Sequence, residues 1–209
     1  MGWFDIVLAR LNPERRVARL RESGDVGGLV RLLAQGEPPV RHLAAAALGE
    51  LGSPAAIPAL AAALAGPDVE GVRWRAAEAL VRIGPLALEE LVPLAVHPDP
   101  DVRWKACVAL GEIGDRRAVP VLIERLTDLD RFVRGRAVSA LVRLGTPAGG
   151  LLARALEDPD ARIRQGAAEA LGQIGDPAAM EGLLIAIRDP VESVRRAAAV
   201  ALLRLNPAV

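Results

Sequence analysis

The sequence predicts an all-α fold, an α-solenoid of about six stacked helix pairs, on three observations: a thirteen-residue phrase occurs six times, each copy has helical periodicity, and each ends on a helix-stopping residue. The copies are Val40–Gly52, Val72–Gly84, Val102–Gly114, Val133–Gly145, Ile163–Gly175 and Val194–Asn206. An arginine follows the opening residue each time, at 41, 73, 103, 134, 164 and 195, so the repeat is 30 to 32 residues long.

Within a phrase the apolar residues fall at offsets 0, 4, 7, 8 and 11 from the opening Val or Ile, as in Val102, Ala106, Ala109, Leu110 and Ile113. At 100° per residue these make one stripe, which predicts B helices near 40–51, 72–83, 102–113, 133–144, 163–174 and 194–205. Gly52, Gly84, Gly114, Gly145 and Gly175 stand where a helix ends in the left-handed conformation, and Asn206 takes that place in the last copy. Ser53-Pro54, Asp115-Arg116, Thr146-Pro147 and Asp176-Pro177 then read as an N-cap and a first helical residue, so an A helix starts at once. Its apolar residues include Leu60 and Leu64, Leu88 and Leu91, Leu122 and Leu126, Leu152 and Leu156, and Leu183 and Ile187. Asp-Pro turns lead back into B. One such pair cannot bury its own apolar faces, but a stack of them makes a continuous core. Small residues at offsets 4, 5 and 7, such as Ala76, Ala77 and Ala79, let neighbouring B helices come close.

Val102 to Asp115 and Ile163 to Asp176 carry the phrase Val/Ile-Arg-x-x-Ala-x-x-Ala-Leu-Gly-x-Ile-Gly-Asp in its fullest form. This resembles HEAT repeats of the short prokaryotic class, the phycobilin-lyase-type HEAT-like repeats, over roughly residues 24 to 206. The resemblance implies a right-handed superhelix whose B helices line the concave face. It also implies a ladder in which a turn aspartate pairs with the B-helix arginine: Asp128, Asp158 and Asp189 precede Arg134, Arg164 and Arg195 by six residues. Gln35, Pro67 and His97 hold that spacing in the first three repeats, where the ladder is expected to be shifted or absent. Proline inside helix A, a habit of the family, occurs at Pro58 and Pro120, while Pro93 comes about a turn later.

Residues 1–23 do not fit the repeat; Trp3, Phe4, Ile6, Val7 and Leu8, with the basic helix Glu14 to Glu22, read as an N-terminal helical cap. Residues 24–209 then form one continuous domain of six repeats. Val200 and Leu203 fall on the solvent side of the last helix, which leaves either a plain apolar end or a weak self-association surface.

Lysine plus arginine equals aspartate plus glutamate at 26 each, so no global field draws nucleic acid or an anionic membrane. Cys107 is the only cysteine, which excludes an internal disulfide and makes the cytoplasm the expected location. The N-terminus has no basic region followed by an apolar core, and the run from Ala55 to Ala65 contains Pro58 and is too short to span a bilayer. No membrane role is expected. Met1-Gly2 opens like a myristoylation signal, but Ile6 stands where serine or threonine is wanted.

Offsets 2, 6 and 9 point away from the buried stripe. Offset 2 carries His42, Trp74, Trp104, Gly135, Gln165 and Arg196; offset 6 includes Glu78, Val108, Ser139 and Val200; offset 9 alternates Gly49, Val81, Gly111, Val142, Gly172 and Leu203. Two of three tryptophans thus sit at one position of adjacent repeats, about 10 Å apart if helices pack normally. Arg75, Lys105 and Arg136 at offset 3 flank them with positive charge. Exposed tryptophan beside arginine is the composition of an interface anchor, although in the resembling family an aromatic here also packs over the next repeat.

The expected function is a non-catalytic scaffold that grips an unidentified protein or peptide on the concave face, through Trp74, Trp104, His42, Arg75, Lys105, Glu78, Val108, Arg136 and Ser139. No cofactor or metal is expected: His42 and His97 lie in unlike contexts, and the paired His-Glu motifs of HEAT-like iron hydroxylases are absent. Cys107 takes an alanine position and reads as a packed, inert thiol. Two alternatives stay open. One is a bilin-lyase-like enzyme or accessory, which the absence of tyrosine and the scarcity of polar groups to orient a tetrapyrrole disfavour. The other is nucleic-acid binding by the basic stretch from Arg73 to Arg143, against which the zero net charge argues.

Overall fold

The computed structural model describes residues 13–69 and 71–205, and all regular structure among them is helical. In chain order the helices are α1 Pro13–Glu22, α2 Val26–Gln35, α3 Pro38–Leu51, α4 Ile57–Ala65, α5 Val72–Ile83, α6 Leu88–Leu94, α7 Pro100–Ile113, α8 Val119–Glu124, α9 Arg131–Leu144, α10 Thr146–Ala155, α11 Ala161–Ile174, α12 Met180–Ala186 and α13 Glu192–Leu205. The odd-numbered helices from α3 onward are the B helices, and the even-numbered ones are the A helices. Trp3, Phe4, Ile6, Val7, Leu8 and Asn206 lie outside the described residues. The chain divides into two compact units, Met1–Leu94 and Ala95–Val209. Each is an all-α stack of helix pairs. None of the described helices is long and apolar enough to cross a membrane.

The predicted stripe is the core. Val102, Ala106, Ala109 and Leu110 of α7 are at most 1% exposed, and their equivalents Val133, Ala137, Ala140 and Leu141 in α9 are likewise buried. The five glycines that close B helices have φ between 62° and 85°, the left-handed region that side chains with a Cβ avoid. In the N-terminal unit α1 packs on α2 and α3 through Val17, and Arg21 reaches Glu50 at 2.7 Å.

The A helices differ in detail from expectation. Most open with one 3-10 turn, at Pro54–Ala56, Pro85–Ala87, Arg116–Ala118 and Pro177–Ala179. Asp115 and Asp176 cap these turns, accepting the N–H of Arg117 and Ala178 at 2.9 Å. Ser53 makes no such bond, and Thr146 is the first residue of α10 rather than its cap. Pro58 and Pro120 occupy first turns, where no N–H is needed, whereas Pro93 sits one residue before the end of α6. A proline there has no N–H to donate and its ring crowds the preceding turn, and α6 ends one residue later.

Offset 9 does not face solvent throughout. Gly49, Gly111 and Gly172 are buried, and a Cβ at each would lie 2.8, 2.6 and 2.5 Å from the Cα of Ala79, Ala140 and Ala201 in the next B helix. The helical wheel identifies the side that meets the A helices, but it does not identify the flank that meets the following repeat. Glycine on that flank brings α3 against α5, α7 against α9 and α11 against α13. Between α9 and α11 the same position is Val142, half-buried, and these helices approach less closely.

Candidate functional site

The arginine that opens each B helix points back into its own turn. Arg103 donates from Nη1 to the carbonyls of His97 and Pro98 at 2.9 and 2.8 Å; Arg134 does so to Asp128 and Leu129, Arg164 to Asp158 and Pro159, and Arg195 to Asp189 and Pro190. In the N-terminal unit Arg41 and Arg73 reach Leu33 O and Gly66 O. The acceptors are main-chain oxygens, so His97 serves as well as an aspartate.

The turn carboxylates therefore do not pair with the arginine six residues later. Asp128 takes Arg103 of the preceding repeat, with Nε and Nη2 donating at 2.7 and 2.8 Å, and Asp189 takes Arg164 at 2.7 and 3.0 Å. The forked guanidinium can hold its own turn's carbonyls and the next turn's carboxylate at once. Among the described residues no ion pair joins Arg134 to Asp158. Burial alone would raise the carboxyl of Asp128, but Arg103 and the N–H of Asp130 outweigh it and hold it below the usual carboxylate range. The hydrogen bond from Arg164 lowers Asp189 in the same way.

In the N-terminal unit Trp74 on α5 is 38% exposed, with its indole N–H on Glu78 Oε1 at 2.9 Å. Arg75 donates to Glu78 Oε2 at 2.7 Å and to His42 Nε2 at 3.1 Å, which draws α3 and α5 together at this face.

In the C-terminal unit Trp104 on α7 is half-buried within a larger group. Its indole N–H donates to Asp101 Oδ1 at 2.9 Å, and Lys105 Nζ lies 2.6 Å from both oxygens of Asp101 and 4.4 Å from the Trp104 ring centre. Phe132, on the first turn of α9, meets Trp104 edge-to-face at 5.3 Å and 86°. Arg136, one turn along α9, has Cζ 4.6 Å from the Phe132 ring and 5.8 Å from that of Trp104. Lys105, expected among the flanking charges of the binding face, is instead 5% exposed, its ammonium on Asp101 and over the indole ring. Asp101 and Phe132 were missing from the sequence-predicted set. Both stand one residue before the opening Val of their phrase, at i−3 from Trp104 and i−4 from Arg136, and that shared offset was the available signal.

Val108 is half-buried, and exposed Ser139 donates back to Gly135 O at 3.0 Å within α9. Beyond Phe132 and Arg136 a groove of about 290 Å³ runs between α9 and α11, with Gly135, Arg134 and Gln165 among its lining. Cys107 is fully buried, and burial pushes its thiol up to about 12, so it holds almost no thiolate.

A family model of HEAT repeats matches residues 26–91, 88–149 and 133–204. A phycobilisome maturation protein of Synechococcus elongatus is 37% identical over 103 residues, 49% of this chain and 50% of its own length. The chain thus spans about half the length of the curated relative it matches. One chain of the complex of CpcE and CpcF of phycocyanin lyase from Nostoc sp. PCC7120 is 25% identical at a TM-score of 0.50, over 72% of this chain and 99% of that one. A designed armadillo repeat protein aligns over 85% of this chain and 98% of its own at 20% identity and TM-score 0.43. The phycobilin-lyase-type resemblance is borne out. The expectation of a non-enzyme is overturned by two likenesses, to a phycobilisome maturation protein and to a chain of a phycocyanin lyase complex. The chain has no tyrosine, and the groups around Trp104 are Asp101, Lys105, Phe132 and Arg136.

Proposed function

The chain belongs to the HEAT repeat family, and from that premise we propose that it serves phycobilisome maturation as one helical subunit of a phycocyanin-lyase-like enzyme. The observation that carries this reading is the match to nearly the whole of a chain from a phycocyanin lyase complex, joined by 37% identity to a phycobilisome maturation protein. The geometry around Trp104 agrees with it. A linear tetrapyrrole is a flat conjugated molecule with carboxylate groups, and Trp104 with Phe132 offers aromatic faces beside the cation of Arg136. In this reading the B-helix face is the working surface. His42, Trp74, Arg75 and Glu78 in one unit, and Trp104, Val108, Arg136 and Ser139 in the other, meet pigment or protein partner. Lys105 holds Trp104 in place from beneath. The cytoplasm is the location that goes with this work.

The test is spectroscopic. Bilin titrated into the purified chain, with and without a second lyase subunit, should shift in absorbance. Phe132→Ala with Arg136→Ala should remove the shift and leave the far-UV circular dichroism unchanged. No shift with the native chain under either condition would sink the reading.

A further inference from the structure

On the face opposite the B helices, α10 and α12 of the last two repeats bound a cleft of about 920 Å³. Ala153, Leu156 and Gly182 are among its lining, and a Cβ on Gly182 would lie 2.8 Å from Leu156 Cδ1. Beside it stand Leu184 and Ile185, 50% and 66% exposed.

Glu181, Leu184 and Ile185 on α12, with Arg188 in the turn two residues past its end, are spaced i, i+3, i+4 and i+7, so a charge stands on each side of two large apolar residues. Counted back from the turn residues Asp128, Asp158 and Asp189, the place of Ile185 is Glu124 and Arg154 in the two preceding repeats. Glu181 replaces Pro120 and Gly150, and Arg188 replaces Thr127 and Glu157. Leu184 has an apolar counterpart in Ile123, but Ile185 and the two charges have none, so the four-residue pattern as a whole is confined to this repeat. Glu181 and Arg188 are both exposed, and among the described residues neither forms an ion pair.

We propose that this face binds a second copy of the same chain, α12 antiparallel on α12 about a two-fold axis. The pairs 181 with 188 and 184 with 185 share one midpoint. In that arrangement Leu184 therefore lies opposite Ile185 of the second copy, and Glu181 lies opposite its Arg188. Each apolar pair enters the other copy's cleft, and two ion pairs close the rim. A parallel arrangement would set glutamate against glutamate. Self-complementarity under a two-fold is what an isologous contact requires, and a patch this small makes a weak, concentration-dependent dimer.

Sedimentation of the full chain should give a mass that rises with concentration from 22.0 kDa toward twice that value. Ile185→Glu should hold it at the monomer. Glu181→Arg alone and Arg188→Glu alone should each lose the rise, while an equimolar mixture of the two variants should regain it, because every cross-pair is then of opposite charge. Leu203→Glu, on the other face of the same repeat, should change nothing. A constant monomer mass for the native chain overturns the proposal. So does association that survives Ile185→Glu, a mixture that stays monomeric, or association removed by Leu203→Glu. The mixing result decides the matter even if Ile185→Glu fails to fold.

Discussion

The C-terminal unit contains two kinds of contact between B helices. Where α7 meets α9, and again where α11 meets α13, glycine touches the alanine backbone and an arginine–aspartate pair spans the same two repeats. Where α9 meets α11, Val142 stands between the helices and no pair joins Arg134 to Asp158 among the described residues. The comparison teaches that helix spacing and rung formation go together. A guanidinium that holds its own turn reaches the next turn's carboxylate only when the backbones are drawn close. Chemically the repeat is one helix pair long, but mechanically it is two.

The largest effect should come from filling a close contact. Gly111→Val or Gly172→Val forces backbones apart and should cost about 3 kcal/mol or more in urea unfolding; a loss under about 1 kcal/mol would mean that the glycine contacts do not set the spacing. Next come the rungs. Asp128→Asn leaves Arg103 without its carboxylate and should cost about 1–3 kcal/mol, whereas Asp158→Asn, which removes no ion pair, should stay within about 0.5 kcal/mol. Equal losses would erase the distinction between the two kinds of contact.

Acid sharpens the same point. The carboxyls of Asp128 and Asp189 sit below their ordinary range in the folded chain, so they bind a proton less readily folded than unfolded. Their stabilisation is complete above the unfolded value of about 3.9 and is lost as pH falls through the folded value. Urea unfolding at stepped pH should show a smaller acid loss for Asp128→Asn than for the native chain. The smallest effect has the opposite sign: Gly135→Ala, on the open side of α9 with nothing within 4 Å of the added carbon, should gain about 0.5–1 kcal/mol.

Much of this was legible in the chain itself. Helix limits, the buried stripe, the glycine stops and the six arginines were read directly, because 3.6-residue periodicity and left-handed glycine are local properties. The aromatic at 104 and the cation at 136 were found by position in the phrase. Phe132 was not: its place one residue before the opening Val, shared with Asp101, was a signal of position in the phrase, but nothing local to it shows that it will meet Trp104. Lys105 was read as a flanking charge of the binding face, because position in the phrase does not show that its ammonium will fold back onto Asp101 and the indole.

What the sequence determined alone is therefore the repeat: which residues are helical, which face is apolar, and where each helix stops. Only the tertiary structure decided what lies between repeats: that Gly111 meets Ala140, that Asp128 answers the arginine behind it rather than the one ahead, and that Phe132 joins Trp104. The reason is distance along the chain. Helical order is set by neighbours within four residues, while these contacts join residues 25 to 29 apart and depend on how near two backbones are brought by everything packed around them.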